Sequence, residues 1–303
     1  MSRRAPGIPL TRRQLRQRQA ILSVLPVIVV LLAIRAYPIV TAAVKSLTNW
    51  NGLYTSDFVG FANYARLLRG TVFWKLVRNN FVLLLNVPIQ VFLGLVVAVL
   101  LHERVWGWRF FRSLYYIPQI ISAVIIGYLF RTLFSMDGPV NIIAFRLGLM
   151  PVPLEWLGDT ATALGVIVFC LVWSSLGWIA VVFMGGLSAI PDSVFEAARI
   201  DGAGFWRRTF QIAVPMLTRV LEYAVMLSVV WTFTGLFPFI FSLTRGGPGY
   251  ETTTLDYMIY IKSFVSGVNL GEACAIAVLL LVIILALTVV EMRVTNAVDD
   301  WSE

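Results

Sequence analysis

The densest group of ionisable side chains between apolar stretches lies in AIPDSVFEAARIDGAGFWRRTFQIAVPMLTR, where Glu196, Arg199 and Asp201 precede Arg207 and Arg208. No histidine or cysteine accompanies them. The segment's local signals describe a structural part. Ser193 followed three residues later by Glu196 is a capping-box pattern behind Pro191 and Asp192. Gly202 supplies a left-handed turn after the first helix. Phe205, Phe210 and Ile212 pattern a second short helix, and Pro215 marks where the chain turns toward the next span. The expectation is a preformed helix-turn-helix too polar for lipid.

The elements that must hold this segment are apolar. Of 303 residues, 59% are hydrophobic and only 13% charged, with a mean hydropathy of +0.82, far from the charge content of soluble domains. A helix needs about 20 apolar residues to cross the hydrocarbon core. Six stretches qualify, near Ala20–Val44, Asn80–Leu101, Phe111–Phe134, Ala163–Leu187, Leu221–Ser242 and Glu272–Val294. The fold class is therefore an all-α integral membrane protein with six transmembrane helices and the polar loop, residues 188–219, between helices 4 and 5. Residues 1–19 form a basic tail, 20–294 the membrane domain and 295–303 a C-terminal tail. The first run is too long for a signal peptide and has no cleavage site after it, so it reads as an uncleaved span.

Arg3, Arg4, Arg12, Arg13, Arg16 and Arg18 crowd the first tail. With that tail inside, inner segments hold fourteen basic residues and outer segments nine, as the positive-inside rule expects. Both termini and the 188–219 loop are then cytoplasmic, and the basic residues face anionic lipid, not nucleic acid. In the first outer loop, FANYARLLRG suits a short interfacial helix; the outer loop 135–162, with PVPLEW, reads as irregular. Arg35 in the first span needs water or a partner: it is either a pathway contact or a snorkelling or paired structural residue. His102, alone at a membrane boundary, and Cys170 and Cys274, inside apolar runs, read as packing residues. The spans lack the paired carboxylates or histidine chains of intramembrane hydrolases and proton pumps.

Glu196, Ala197, Ala198, Gly202, Ile212 and Pro215 together match the EAA motif of ABC-importer permeases, with Val214 in place of the usual leucine. The chain resembles that family. The resemblance implies that the first short helix is a coupling helix seated on an ATP-hydrolysing partner. Glu196, Ala197, Ala198, Arg199, Asp201, Gly202 and Ala203 would then form the coupling site; alanines permit close approach, while Glu196 and Arg199 supply polar contacts. The chain has no G-x-x-x-x-G-K-[ST] phosphate loop. ATP and Mg are accordingly expected on partner ATPase subunits, with no cofactor on this chain and no enzymatic activity of its own.

A second stretch, SLTRGGPGYETTTLDYMIYIKSF, is similar to one found in one permease subunit of maltose- and glycerol-phosphate-type importers, through Thr244, Gly246, Gly247, Pro248, Thr254, Leu255, Tyr260 and Phe264. It implies a sugar or oligosaccharide importer built from this chain, a second homologous permease, two ATP-binding subunits and an extracytoplasmic solute-binding protein in a bacterial inner membrane. In that family the fifth span lines the pathway, which makes Trp231, Thr232, Thr234 and Phe237 candidate substrate contacts, with packing as the alternative for each. Pro238 is expected to kink that span. The competing functions are an ABC permease for a non-carbohydrate solute and, from another class, an ion channel.

Overall fold

The computed structural model describes residues 12–52, 56–265 and 269–300. Arg3 and Arg4 and residues 301–303 lie outside them. Among the described residues the chain is helical, with one isolated antiparallel bridge, Thr48 to Phe58. Four helices are long and apolar enough to cross a membrane: Leu22–Lys45, Thr71–His102, Thr160–Leu187 and Leu270–Val294. Two bent pairs, Trp108–Ile120 with Ala123–Leu133 and Phe205–Met216 with Thr218–Thr234, bring the number to six if each is one span. We refer to these as the first to sixth spans in chain order.

Three expected boundaries need correction. The second helix starts at Thr71, nine residues before Asn80. Lys75 pairs there with Glu251, and Asn79 and Asn80 are buried against the segment after the fifth span, so residues that look like loop by polarity have their partners within the protein. The third span is broken by 101° at Ile121 and Ser122, whose backbones are extended. Irregular backbone at membrane depth is tolerated where it lines a cavity, and Ile121 does so. The fifth span stops at Thr234, and Phe237–Leu243 is a separate helix.

Pro238 therefore kinks nothing. It sits in the first turn of the separate helix, where its missing N–H is one of the donors a helix start leaves unused. The neighbouring Phe237 N–H donates to Asp256 Oδ2 at 2.7 Å. Burial pushes the Asp256 carboxyl above its ordinary value, against the hydrogen bonds it accepts from Thr254, Phe237 and Tyr257.

The short helix expected in FANYARLLRG is present as Ala62–Arg69. Residues 135–162 contain an eight-residue helix, Pro139–Arg146, ahead of an irregular PVPLEW stretch. Asn141 organises that stretch: its amide donates to Ser135, Met136 and Leu154 carbonyls, and its oxygen accepts from the Leu154 N–H and Trp156 Nε1.

Packing is tightest between the second and fourth spans. A Cβ on Gly94 would overlap the Ile179 side chain, and one on Gly177 would overlap the Tyr115 backbone. Glycine at these positions lets helix axes approach, the usual device where no water drives helices together. Leu95, Ala98, Ile179, Phe183 and Leu217 form one buried cluster near the 188–219 loop; Phe73, Leu76, Phe233, Leu255 and Ile276 form another toward the opposite end. The first span is exposed along its length and touches the sixth. Cys170 and Cys274 are both free.

Candidate functional site

The 188–219 segment folds as a helix, Asp192–Ile200, a glycine turn and a second helix, Phe205–Met216, which is the first arm of the bent fifth span. The first helix does not carry the expected capping box. It begins at Asp192 after an extended Pro191, so Ser193 is its second residue and makes no capping bond. Asp192 in the first turn complements the helix dipole instead. The other end follows the sequence reading. Gly202 has φ +74°, the Gly202 N–H reaches the Arg199 carbonyl at 3.1 Å, and the Ala203 N–H reaches Ala198 at 2.9 Å. These two bonds are the Schellman pattern that a left-handed C-terminal residue permits.

Helical spacing divides the seven candidate residues between two faces. Phe195, Ala198 and Ala203 are buried against the protein, so Ala198 and Ala203 pack internally and are not available to a docking partner. Glu196, Ala197, Arg199, Asp201 and Gly202 are exposed. Ile200 joins them at 85% exposure, an isoleucine whose place among charged neighbours was the signal available in sequence. A Cβ on Gly202 would meet nothing within 4 Å, leaving that turn open to the outside. Trp206 and Phe210, stacked at 5.8 Å and both exposed, continue the apolar surface beyond the turn.

The same end of the molecule carries the connection between the second and third spans. Glu103, which follows the second span, accepts from Arg199 at 3.0 Å and from Arg208 at 2.9 Å. Arg208 also donates to the Ala203 carbonyl at 2.8 Å. His102 lies ring to ring with Phe195 at 5.5 Å, a packing role.

A cavity of about 490 Å³ opens deeper among the helices, between the second, third, fourth and fifth spans. Trp231 and Thr234 line it, as does Trp178 of the fourth span. Thr232 does not: it is fully buried, donates to the Ser228 carbonyl and accepts from Asn86 Nδ2 at 3.1 Å. Phe237 also lies elsewhere, in an aromatic group with Tyr257 and Tyr260. Arg35 is exposed on the first span, within a π turn from Leu32 to Ala36, and does not line this cavity. Besides Trp231 and Thr234, the cavity has hydrogen-bonding groups that the sequence reading missed: Gln90, Gln119, Ser174, Ser175 and Ser228. Gln90 Oε1 accepts from Ser175 Oγ, while the Gln90 amide nitrogen has no partner among the described residues. Ser174, Ser175 and Ser228 donate to Leu171, Gln90 and Ala224 and keep their oxygens as acceptors, so two indoles beside an amide donor and hydroxyl acceptors can hold a polar solute with apolar ring faces.

The GGP segment is a folded part of the opposite end. Gly246 and Gly249 are left-handed, at φ +79° and +48°, and Thr252, Thr253 and Thr254 are buried. Asn79 donates to the carbonyls of Tyr250 and Thr253, and Asn80 accepts from the Leu255 N–H. Thr252 and Thr253 close the turn on the Gly247 and Gly246 carbonyls, and the two matching threonines are also used within the segment, Thr244 accepting from Thr252 and Thr254 donating to Asp256.

With a six-span helical body, a glycine-turned loop at one end and a polar cavity between the spans, comparison with known proteins is decisive. Residues 64–299 match the family described as "Binding-protein-dependent transport system inner membrane component". The chain belongs to that family. It is a multi-pass membrane permease subunit of an ABC importer. It is 34% identical to "Probable ABC transporter permease protein YurN" of Bacillus subtilis, covering 84% of this chain and 89% of that one. It is 30% identical to "Multiple sugar-binding transport system permease protein MsmF" of Streptococcus mutans, over 86% and 89%. A solved bacterial ABC transporter for the import of the acidic polysaccharide alginate has a chain that superposes with a TM-score of 0.79 at 19% identity, over 93% of this permease and 96% of that chain, a likeness of fold.

Proposed function

We propose that this permease is one half of a sugar or oligosaccharide importer. It would pair with a second, homologous permease, receive solute from an extracytoplasmic binding protein, and be driven by two ATP-binding subunits that hold ATP and Mg. The carrying observation is the cavity in which Trp178 and Trp231 stand beside Gln90, Gln119, Ser174 and Ser175, the combination of ring face and hydrogen-bonding group that sugars require. The relative named for multiple-sugar-binding transport supports the same substrate class. The helix Asp192–Ile200 is the coupling element, docking through Glu196, Ala197, Ile200, Asp201 and Gly202 on a cytoplasmic ATPase, and both termini share that side. Drawing the two coupling helices together on ATP binding tilts the spans and alternates access to the cavity.

The test uses the assembled transporter in proteoliposomes with its binding protein, after that protein has been screened for ligands. Trp231→Ala is expected to raise the solute concentration for half-maximal transport at least about tenfold, the loss of roughly 1.4 kcal/mol of stacking. Thr232→Val, which alters a packing residue, should leave that concentration within about twofold, because neither side chain would meet solute. A binding protein that takes no carbohydrate, or equal effects of the two substitutions, would refute the proposal.

A further inference from the structure

We infer that Glu103 is a positioning residue that ties the coupling helix to the second span, so that movement of the helix is delivered to the cavity through Gln90. This rests on the reading of Asp192–Ile200 as the docking element. By chain connection alone, that helix joins only the fourth and fifth spans. Glu103 gives it a third attachment. Its two carboxylate oxygens are divided: Oε2 takes Arg199, in the last turn of the coupling helix, and Oε1 takes Arg208, in the helix beyond the glycine turn.

The geometry is that of a clamp, not of a surface ion pair. Side-chain exposure is 19% for Glu103 and 14% for Arg208, so this pair is held away from the water that weakens exposed pairs. Arg208 spends a second donor on the Ala203 carbonyl, which pins the far side of the turn. Apolar contact follows the same line, through His102 against Phe195 directly before Glu103. Charge-assisted hydrogen bonds of fixed direction resist both sliding and rotation. From Glu103 the second span runs as a helix to Gln90, which lines the cavity and is bonded to Ser175 of the fourth span. A displacement at the loop thus reaches the second and fourth spans together and carries a solute-facing amide with it.

The clamp is tested in the complete transporter with Glu103→Gln, which keeps shape and removes charge, beside Glu103→Asp and Gly202→Asp. With ATPase subunits still co-purifying at wild-type level, Glu103→Gln should lower solute transported per ATP hydrolysed at least about fivefold, and Glu103→Asp should recover part of the loss. A role confined to folding would lower yield without moving that ratio. If Glu103→Gln fails to assemble, Arg199→Gln removes only the more exposed arm and must still lower the ratio. An unchanged ratio in the assembled Glu103→Gln complex, or in Arg199→Gln where the first cannot be made, overturns the proposal. If Gly202→Asp uncouples while these variants do not, the clamp alone is wrong; if Gly202→Asp is also coupled normally, the docking reading has failed.

Discussion

Substitutions at Gly202 separate a turn requirement from a docking requirement, because backbone and surface rank the replacements differently. At φ +74°, with no atom within 4 Å of a Cβ placed there, alanine meets no clash and carries only the left-handed backbone penalty of about 1–2 kcal/mol. Asparagine and aspartate enter that region more readily than alanine, so the turn alone favours both over alanine. A docked ATPase reverses the order. It would sit against the open side of the turn, where a methyl is small, an amide larger, and an unpaired carboxylate costs several kcal/mol to desolvate. Each 1.4 kcal/mol is tenfold in affinity, so Gly202→Asp should weaken ATPase docking about a hundredfold or more. The expected ranking for coupled transport in proteoliposomes is Gly, Ala, Asn, Asp. The expected ranking for thermal unfolding of the detergent-solubilised permease places Ala below Asn and Asp. Coupled transport by Gly202→Asp equal to or above that of Gly202→Ala would refute docking at this face.

Two further substitutions probe the scaffold. Asn79→Leu removes the donors to the Tyr250 and Thr253 carbonyls and should destabilise the permease by about 2–4 kcal/mol, with earlier proteolytic cleavage in the 244–254 segment; resistance equal to wild type would contradict the assigned anchor. Gly177→Ala forces a Cβ into the Tyr115 backbone and should cost about 1–3 kcal/mol, whereas Gly165→Ala, which has open space, should be neutral or slightly stabilising. Thermal unfolding of the two in detergent compares them directly, and equal shifts would argue against the close approach.

Local features were legible in sequence where a single residue decides them. Gly202 and the apolar runs are of this kind: a left-handed turn and a bilayer-length helix depend on short-range sterics and on hydropathy. The capping box at Ser193 and Glu196 was a local pattern that failed, because Pro191 sets an extended entry and the helix starts two residues earlier than the box requires. Polarity misplaced the start of the second span, since Lys75, Asn79 and Asn80 find partners more than 170 residues away.

Within the spans, sequence assigns a bilayer environment but cannot tell which polar groups are used up. Gln90, Asn86, Ser174, Ser228 and Thr232 all stand in apolar runs. Asn86 and Thr232 bond each other, while Gln90, Ser174 and Ser228 meet at the cavity. Likewise, nothing in the order of residues links Glu103 to Arg199 and Arg208. The sequence alone determined the family, the apolar spans and the glycine-turned loop, because each is encoded within a short window of chain. Only the tertiary structure decided which groups reach the solute and what the coupling helix pulls upon, because hydrogen-bond satisfaction and clamping depend on partners that distant segments bring into contact.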